Sequence, residues 1–126
     1  MNGTLADMDL TEPLKTLVAR VPGAVGAVLI DNEGEAVTYF SASDETERIR
    51  LIGAYHRIWL SDCLAISERL QAGKLDCLVQ VYDYGTVLIK ALPGNHALAL
   101  VGALEMFVGQ GLWHLQQVGQ LIAEDL

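Results

Sequence analysis

The sequence predicts a single α+β domain over residues 1–126, a three-layer α/β/α arrangement around a five-stranded, mostly antiparallel sheet. Three observations predict this fold. A hairpin pattern precedes a long helical segment, three further extended runs separated by turn residues follow that segment, and a last helical segment closes the chain. The predicted element order is therefore α-β-β-α-β-β-β-α, with helices on both faces of the sheet.

The first three elements are predicted from their apolar runs and from the residues that separate them. Asp9 or Thr11 can cap a first helix. Residues 24–30 form a nearly continuous apolar run with β-branched members, which is typical of a buried strand. Residues 31–34, Asp-Asn-Glu-Gly, supply a turn, so residues 36–42 are expected to return as the second strand of a hairpin.

The segment 44–72 is predicted to be a long helix with more apolar surface than one sheet can cover. Asp44 and Glu47 resemble a capping box at its start, and Gly73 can end it. Its apolar arc spans roughly 220°, whereas about 100° normally suffices to cover a core. The main stripe is Ile49, Ile52, His56, Trp59, Cys63, Ile66 and Leu70, flanked by Leu51, Tyr55, Ile58, Leu60 and Leu64. We therefore expect two burial partners for this helix.

Three extended runs and a final helix follow. The runs are residues 75–82, 86–92 and 96–101, and the helix spans residues 105–125. In the first run Leu75, Cys77, Val79 and Val81 share one face, while the other face is partly polar. That pattern predicts a strand at the edge of the sheet.

Composition excludes several classes of function. A net charge of -8 argues against a nucleic-acid partner, because such binding depends on clustered Lys and Arg. No run approaches the roughly 18 apolar residues of a membrane span, and the start of the chain lacks the pattern of a signal peptide. We therefore expect a cytoplasmic protein without membrane insertion. Cys63 and Cys77 have neither zinc nor redox spacing and are expected to be buried free thiols.

No motif predicts an active site. The only glycine-rich stretch, residues 23–26, lacks the lysine of a phosphate-binding loop, and no serine stands in a G-x-S-x-G turn. His56, His96 and His114 are dispersed, without metal-ligand spacing, and His56 is expected to be a satisfied core or interface histidine. We expect no catalytic residue, no cofactor and no metal.

Residues 21–31, VPGAVGAVLID, followed by Glu33-Gly34, the long helix and the three-strand meander, resemble the roadblock family of dynein light chains and small-GTPase regulators. The resemblance extends from about Leu10 to Ile122, and profilin-like folds share parts of this layout. It implies a dimer in which the long helices pack side by side and the strand after the helix pairs with its counterpart. The implied dimer interface comprises Ile49, Ile52, His56, Trp59, Cys63, Ile66, Leu75, Cys77 and Val79.

The resemblance also implies a function. Bacterial members bind a Ras-like small GTPase and can accelerate its hydrolysis, while eukaryotic members belong to dynein or to GTPase scaffolds. The expected function is a homodimeric, non-enzymatic regulator or scaffold. Arg50 and Arg57 on the polar strip of the long helix are candidates to contact the GTPase, as an arginine finger or as solvated side chains. Met106 and Trp113 are either a partner site or packed against the first helix.

Two alternatives remain open from the sequence. One is a small-molecule sensor of PAS, GAF or profilin-like layout, in which Tyr39, Tyr55, His56 and Trp59 line a pocket. The other is a structural light chain that pairs with a different roadblock subunit.

Overall fold

A computed structural model describes residues 9–126. The expectations for the first eight residues, as part of the domain and as lacking a signal peptide, lie outside the described residues. The elements are α1 (Thr11–Arg20), β1 (Ala24–Ile30), β2 (Ala36–Ser41), α2 (Thr46–Arg69), β3 (Cys77–Tyr82), β4 (Gly85–Leu92), β5 (His96–Ala103) and α3 (Val108–Ala123). This is the predicted element order. A three-residue 3₁₀ turn, Pro93–Asn95, joins β4 to β5.

The five strands form one antiparallel sheet in the order β2-β1-β5-β4-β3. β5 lies against β1, and this pairing joins the first hairpin to the three-strand meander. The central strands are buried on both faces, as Val28, Leu29, Leu98 and Ala99 illustrate with no exposed surface. β3 lies at an edge, as its alternation predicts.

Helices cover both faces of the sheet, which confirms the three-layer prediction. α1 and α3 pack on one face around Leu14, Leu17, Leu100 and Leu115. α2 packs on the other face over Val28, Ile89, Ala97 and Ala99. Alternate residues of each strand serve the two cores, because neighbouring side chains of a strand point to opposite faces.

The long helix starts later than predicted, and its capping box does not form. α2 begins at Thr46 after Glu45, whose side chain makes no capping hydrogen bond. The Glu47 carboxylate pairs instead with the guanidinium of Arg50 one turn along the helix. This i,i+3 pair takes the acceptor that a capping box would use.

The last helix also starts later, at Val108 instead of residue 105. The Met106 N–H donates to the Ala103 carbonyl at 3.0 Å, and the Phe107 N–H donates to the Pro22 carbonyl at 3.2 Å. The first bond closes a turn at the end of β5, and the second ties the segment before α3 to the turn between α1 and β1. Within residues 9–126, no helix has the length and apolarity that crossing a membrane requires.

Candidate functional site

α2 has two apolar faces, and the sheet covers only one of them. Ile49, Gly53 and Leu60 are buried on the sheet side. The outer face of α2, taken to include its C-cap residue Leu70, carries six large apolar side chains with 40% to 70% of their surface exposed, namely Leu51, Tyr55, Ile58, Trp59, Ile66 and Leu70. The helix therefore has apolar surface beyond what its own sheet covers, as the width of the apolar arc predicts.

Two predicted interface residues lie on the sheet side of α2. Ile49 is 2% exposed, and an added Cβ on Gly26 would lie only 2.7 Å from its Cδ1. Ile49 is therefore a core residue, contrary to the prediction. His56 is also buried, at 7% exposure. Both residues stand on the main apolar stripe. One edge of that stripe faces the sheet, and its other edge, with Trp59 and Ile66, belongs to the exposed outer face.

His56 links α2 to β3. Its Nδ1 lies 2.7 Å from the Ile52 carbonyl, and its Nε2 lies 2.7 Å from the Tyr82 hydroxyl. Because a carbonyl only accepts, Nδ1 donates to Ile52 and the neutral Nε2 accepts from Tyr82. Trp59 packs edge-on against the imidazole at 5.0 Å. Burial lowers the pKa of His56, and the bond to Ile52 only partly opposes that shift.

The free edge of β3 presents every second backbone unit to solvent. The Ala91 N–H donates to the Asp76 carbonyl at 2.9 Å, and the β3–β4 register has no bulge. Since the backbone groups of an antiparallel strand alternate in direction, the N–H and C=O groups of Cys77, Val79 and Val81 point away from β4. Val79 and Val81 are also exposed through their side chains.

The remaining predicted interface residues are half-buried at the margin of the outer face or along β3. Ile52 and Leu75 pack against the core beneath α2, and Cys77 packs against the core beneath α1 and α3. Cys63 is half-buried, and it and Cys77 are free thiols. Burial, with a smaller contribution from Asp76, raises the pKa of the Cys77 thiol to about 11, so the thiol stays protonated.

The structure separates the two candidate arginines. Arg50 lies at the surface in its pair with Glu47, which raises the pKa of Arg50. Arg57 is only 9% exposed and donates to the Ser61 hydroxyl and, at 2.7 Å, to the Asn95 carbonyl. The prediction of Arg57 as an exposed arginine is wrong, because the rotation of α2 that buries Leu60 places Arg57 under the β4–β5 turn.

Met106 and Trp113 also lie in different environments, one buried and the other exposed. Met106 is 6% exposed, precedes α3, and packs where Gly23 and Gly102 leave room that a Cβ would fill. It is a core residue and not part of a partner surface. Trp113 is 59% exposed, packs edge-on against the neighbouring His114, and is not part of the described core that α1 and α3 share.

Among the described residues, the four aromatic residues of the sensor alternative do not share either of the two grooves that Tyr55 and His56 line. Tyr55 lines an open groove beside residues 32–35, and His56 lines a different groove of about 660 Å³ beside the β3–β4 turn. Tyr39 and Trp59 line neither groove. In the part of the chain that the structure describes, no three His, Cys, Asp or Glu side chains are placed to hold a metal ion.

Sequence reasoning missed Leu51, Tyr55 and Ile58 as surface residues of the candidate site, although it placed them on the apolar arc. Gly53 was the sequence feature that could have identified the exposed side of the helix. A glycine inside a long helix often marks the side that approaches another backbone closely, and here an added Cβ on Gly53 would lie 2.8 Å from Cβ of Val28. The face opposite Gly53 is therefore the one left uncovered.

Comparison with known proteins identifies the fold. The sequence matches no protein-family model and no curated protein. Among solved structures, the roadblock/LC7 domain from Streptomyces avermitilis superposes with a TM-score of 0.81 at 17% identity, covering 91% of this chain and 95% of that chain. The gliding protein MglB from Thermus thermophilus gives 0.82 at 16% identity, covering 98% and 92%. MglC from Myxococcus xanthus gives 0.66 at 20%, covering 94% and 100%. The chain has the roadblock fold.

Proposed function

We propose that this protein is a homodimeric, non-enzymatic regulator or scaffold that binds a Ras-like small GTPase in the cytoplasm. One observation carries the proposal: six large apolar side chains lie exposed on the outer face of α2 in a roadblock fold, and one of them, Trp59, packs on His56, which is hydrogen-bonded to Tyr82 of the edge strand β3. Contiguous exposed apolar surface marks interaction sites, because its burial gains about 25 cal/mol per Å².

In the proposed dimer the two α2 helices pack through their outer faces and the two β3 edges pair. The outward backbone groups of Cys77, Val79 and Val81 supply the donors and acceptors that a partner strand needs. A two-fold axis through this surface makes it self-complementary. Ile52, Trp59, Cys63 and Ile66 contribute side chains to the helix contact, and Leu75 lies beside it.

The GTPase is proposed to bind through surface that the dimer leaves open. Arg50 is one candidate contact, since an exposed pair such as Arg50–Glu47 costs little to rearrange. Trp113 on α3 is the other, because exposed tryptophan is common at binding hot spots. The family resemblance of residues 21–31 and of the element order supports a GTPase as the partner class.

Light scattering of matched variants tests the dimer. Ile58→Asp places a charge on the outer face of α2 and is expected to halve the mass of the particle, because an unpaired carboxylate is costly to bury. Leu121→Asp is the control, since Leu121 is equally exposed but lies on α3. Wild-type protein that stays monomeric at micromolar concentration, or an Ile58→Asp variant with unchanged mass, contradicts the proposal.

A capture experiment tests the partner. Purified protein is immobilised and mixed with Ras-like GTPases encoded near its gene, each loaded with GDP or with a non-hydrolysable GTP analogue. Binding that depends on the nucleotide is expected, and Trp113→Ala should weaken it at least about tenfold while leaving stability nearly unchanged. Equal retention of both nucleotide forms at background level, for every candidate, contradicts a GTPase partner.

A further inference from the structure

We propose that a cavity beside Arg57 binds a small oxyanion such as phosphate. The cavity has a volume of about 200 Å³ and lies between the second half of α2, the residues just before β3 and the β4–β5 turn. Its lining includes Arg57, Lys74, Leu75, Asn95 and His96. The proposal is independent of the function proposed above.

Arg57 carries a buried charge that no carboxylate of the described residues balances. Its side chain is nine-tenths buried, and buried charges in proteins are normally paired with an opposite charge. The ion pairs within residues 9–126 are Lys15–Glu12, Arg50–Glu47 and Lys90–Asp76, so Arg57 has no carboxylate within 4.0 Å there. A buried guanidinium without a counter-ion is the arrangement that a bound anion would complete.

The hydrogen-bond donors of Arg57 are only partly paired within the described residues. A guanidinium carries five N–H groups. One terminal nitrogen donates to the Ser61 hydroxyl and the other to the Asn95 carbonyl, both of which are neutral acceptors. The Nε atom is buried without a partner, and it is the one such side-chain nitrogen or oxygen among the described residues. Two acceptors for five N–H groups leave the guanidinium under-paired, and unpaired buried donors are costly, so a further acceptor at the terminal nitrogens is expected.

The charged side chains that line this cavity are all basic. The chain has a net charge of -8, yet the lining of this cavity contains Arg57, Lys74 and His96 and no Asp or Glu. Lys74 is exposed, so its amine can reach the mouth of the cavity from solvent. His96 donates from Nδ1 to the Pro93 carbonyl at 3.1 Å, and its Nε2 has no hydrogen-bond partner among residues 9–126.

These features favour a tetrahedral oxyanion. Guanidinium and ammonium groups bind phosphate through charge-assisted hydrogen bonds, and the fork of arginine can supply two of them. A cavity of about 200 Å³ holds such an ion with a few waters, since one water occupies about 30 Å³ in the liquid. The ion can be free inorganic phosphate or the phosphate group of a small monoester.

The test is a titration of the full-length protein with inorganic phosphate at constant ionic strength, set by potassium chloride. The side-chain Nε–H resonance of Arg57 is followed by ¹⁵N NMR, and the affinity is measured by calorimetry. We expect saturable binding and a shift of the Arg57 resonance. A parallel titration with glycerol phosphate distinguishes free phosphate from a phosphate monoester as the ligand. A site that accepts monoesters binds glycerol phosphate about as tightly as inorganic phosphate, whereas a site for the free ion does not.

Three variants locate the site. Lys74→Gln changes an exposed side chain and should weaken phosphate binding several-fold without affecting folding, and Arg57→Gln should weaken it at least about tenfold. Lys15→Gln, an exposed lysine on α1, is the matched control and should change nothing. No saturable binding by the wild type overturns the proposal. Binding that neither Lys74→Gln nor Arg57→Gln weakens places the phosphate elsewhere and overturns it equally.

Discussion

Two glycines determine how closely α2 approaches the sheet. An added Cβ on Gly53 would lie 2.8 Å from Cβ of Val28, and one on Gly26 would lie 2.7 Å from Cδ1 of Ile49. Real Cβ atoms are almost never so close to another heavy atom. The missing side chains therefore fix which side of α2 faces the sheet and, by exclusion, which side remains exposed.

The first prediction concerns this contact. Gly53→Ala is expected to destabilise the protein by up to about 2 kcal/mol, because overpacking costs about 1–3 kcal/mol and alanine regains only roughly 1 kcal/mol in a helix. Gly109→Ala is the control, since an added Cβ at Gly109 in α3 meets nothing within 4 Å. That variant should be unchanged or more stable by up to about 1 kcal/mol. Urea unfolding measures both, and a Gly53→Ala variant as stable as Gly109→Ala contradicts the packing argument.

The second prediction concerns His56, whose pKa burial holds below its ordinary value of 6.5. Between the lowered folded pKa and 6.5 the unfolded chain binds more protons than the folded chain, so the free energy of unfolding falls as the pH falls. His56→Gln should remove that part of the slope between pH 7.5 and pH 5.5. Chemical unfolding across this range measures it, with His114→Gln as the control that keeps the slope. A wild-type slope identical to that of His56→Gln contradicts the prediction.

At the scale of the elements, the two edges of β3 differ: one is hydrogen-bonded to β4 and the other is open. Residues 76, 78, 80 and 82 direct their backbone groups toward β4, whereas residues 77, 79 and 81 direct theirs toward the open edge. Proline is tolerated on an edge strand where its missing N–H would face solvent. Neighbouring positions of β3 therefore give opposite expectations for the same substitution.

The third prediction uses this alternation. Val79→Pro removes an outward donor, so the chain should still fold while the mass measured by light scattering falls from dimer to monomer. Gln80→Pro removes a donor to β4 and should instead lower the thermal stability of the chain itself. Circular dichroism separates the two effects. A Val79→Pro variant that folds and keeps the dimer mass shows that edge pairing is not part of the assembly.

At the scale of the whole molecule, the domain buries two cores and still leaves a third apolar surface on α2. A protein whose folded form assembles gains apparent stability from mass action, because association removes folded chains from the unfolding equilibrium. The thermal midpoint of such a protein depends on its concentration, whereas that of a monomer does not.

The fourth prediction follows. The melting temperature should rise by several degrees when the protein concentration is raised about 100-fold, since that change is worth on the order of 1–3 kcal/mol per chain. Trp59→Asp on the outer face of α2 should abolish the dependence. Calorimetry or fluorescence measures both proteins under the same buffer conditions. A wild-type midpoint that does not move with concentration contradicts assembly.

The sequence by itself determined the order of the elements, the position of β1, the turn after it and the edge position of β3. These depend on local patterns: a continuous apolar run, turn residues such as Gly34, whose φ is +86°, and strict alternation along one strand. Only the tertiary structure decided which side of α2 is exposed and where Arg57 and Met106 lie. An apolar arc of roughly 220° leaves the rotation of a helix about its axis undetermined. Close packing of α2 on the sheet at Gly53, with its partner Val28 distant in the sequence, selects one rotation.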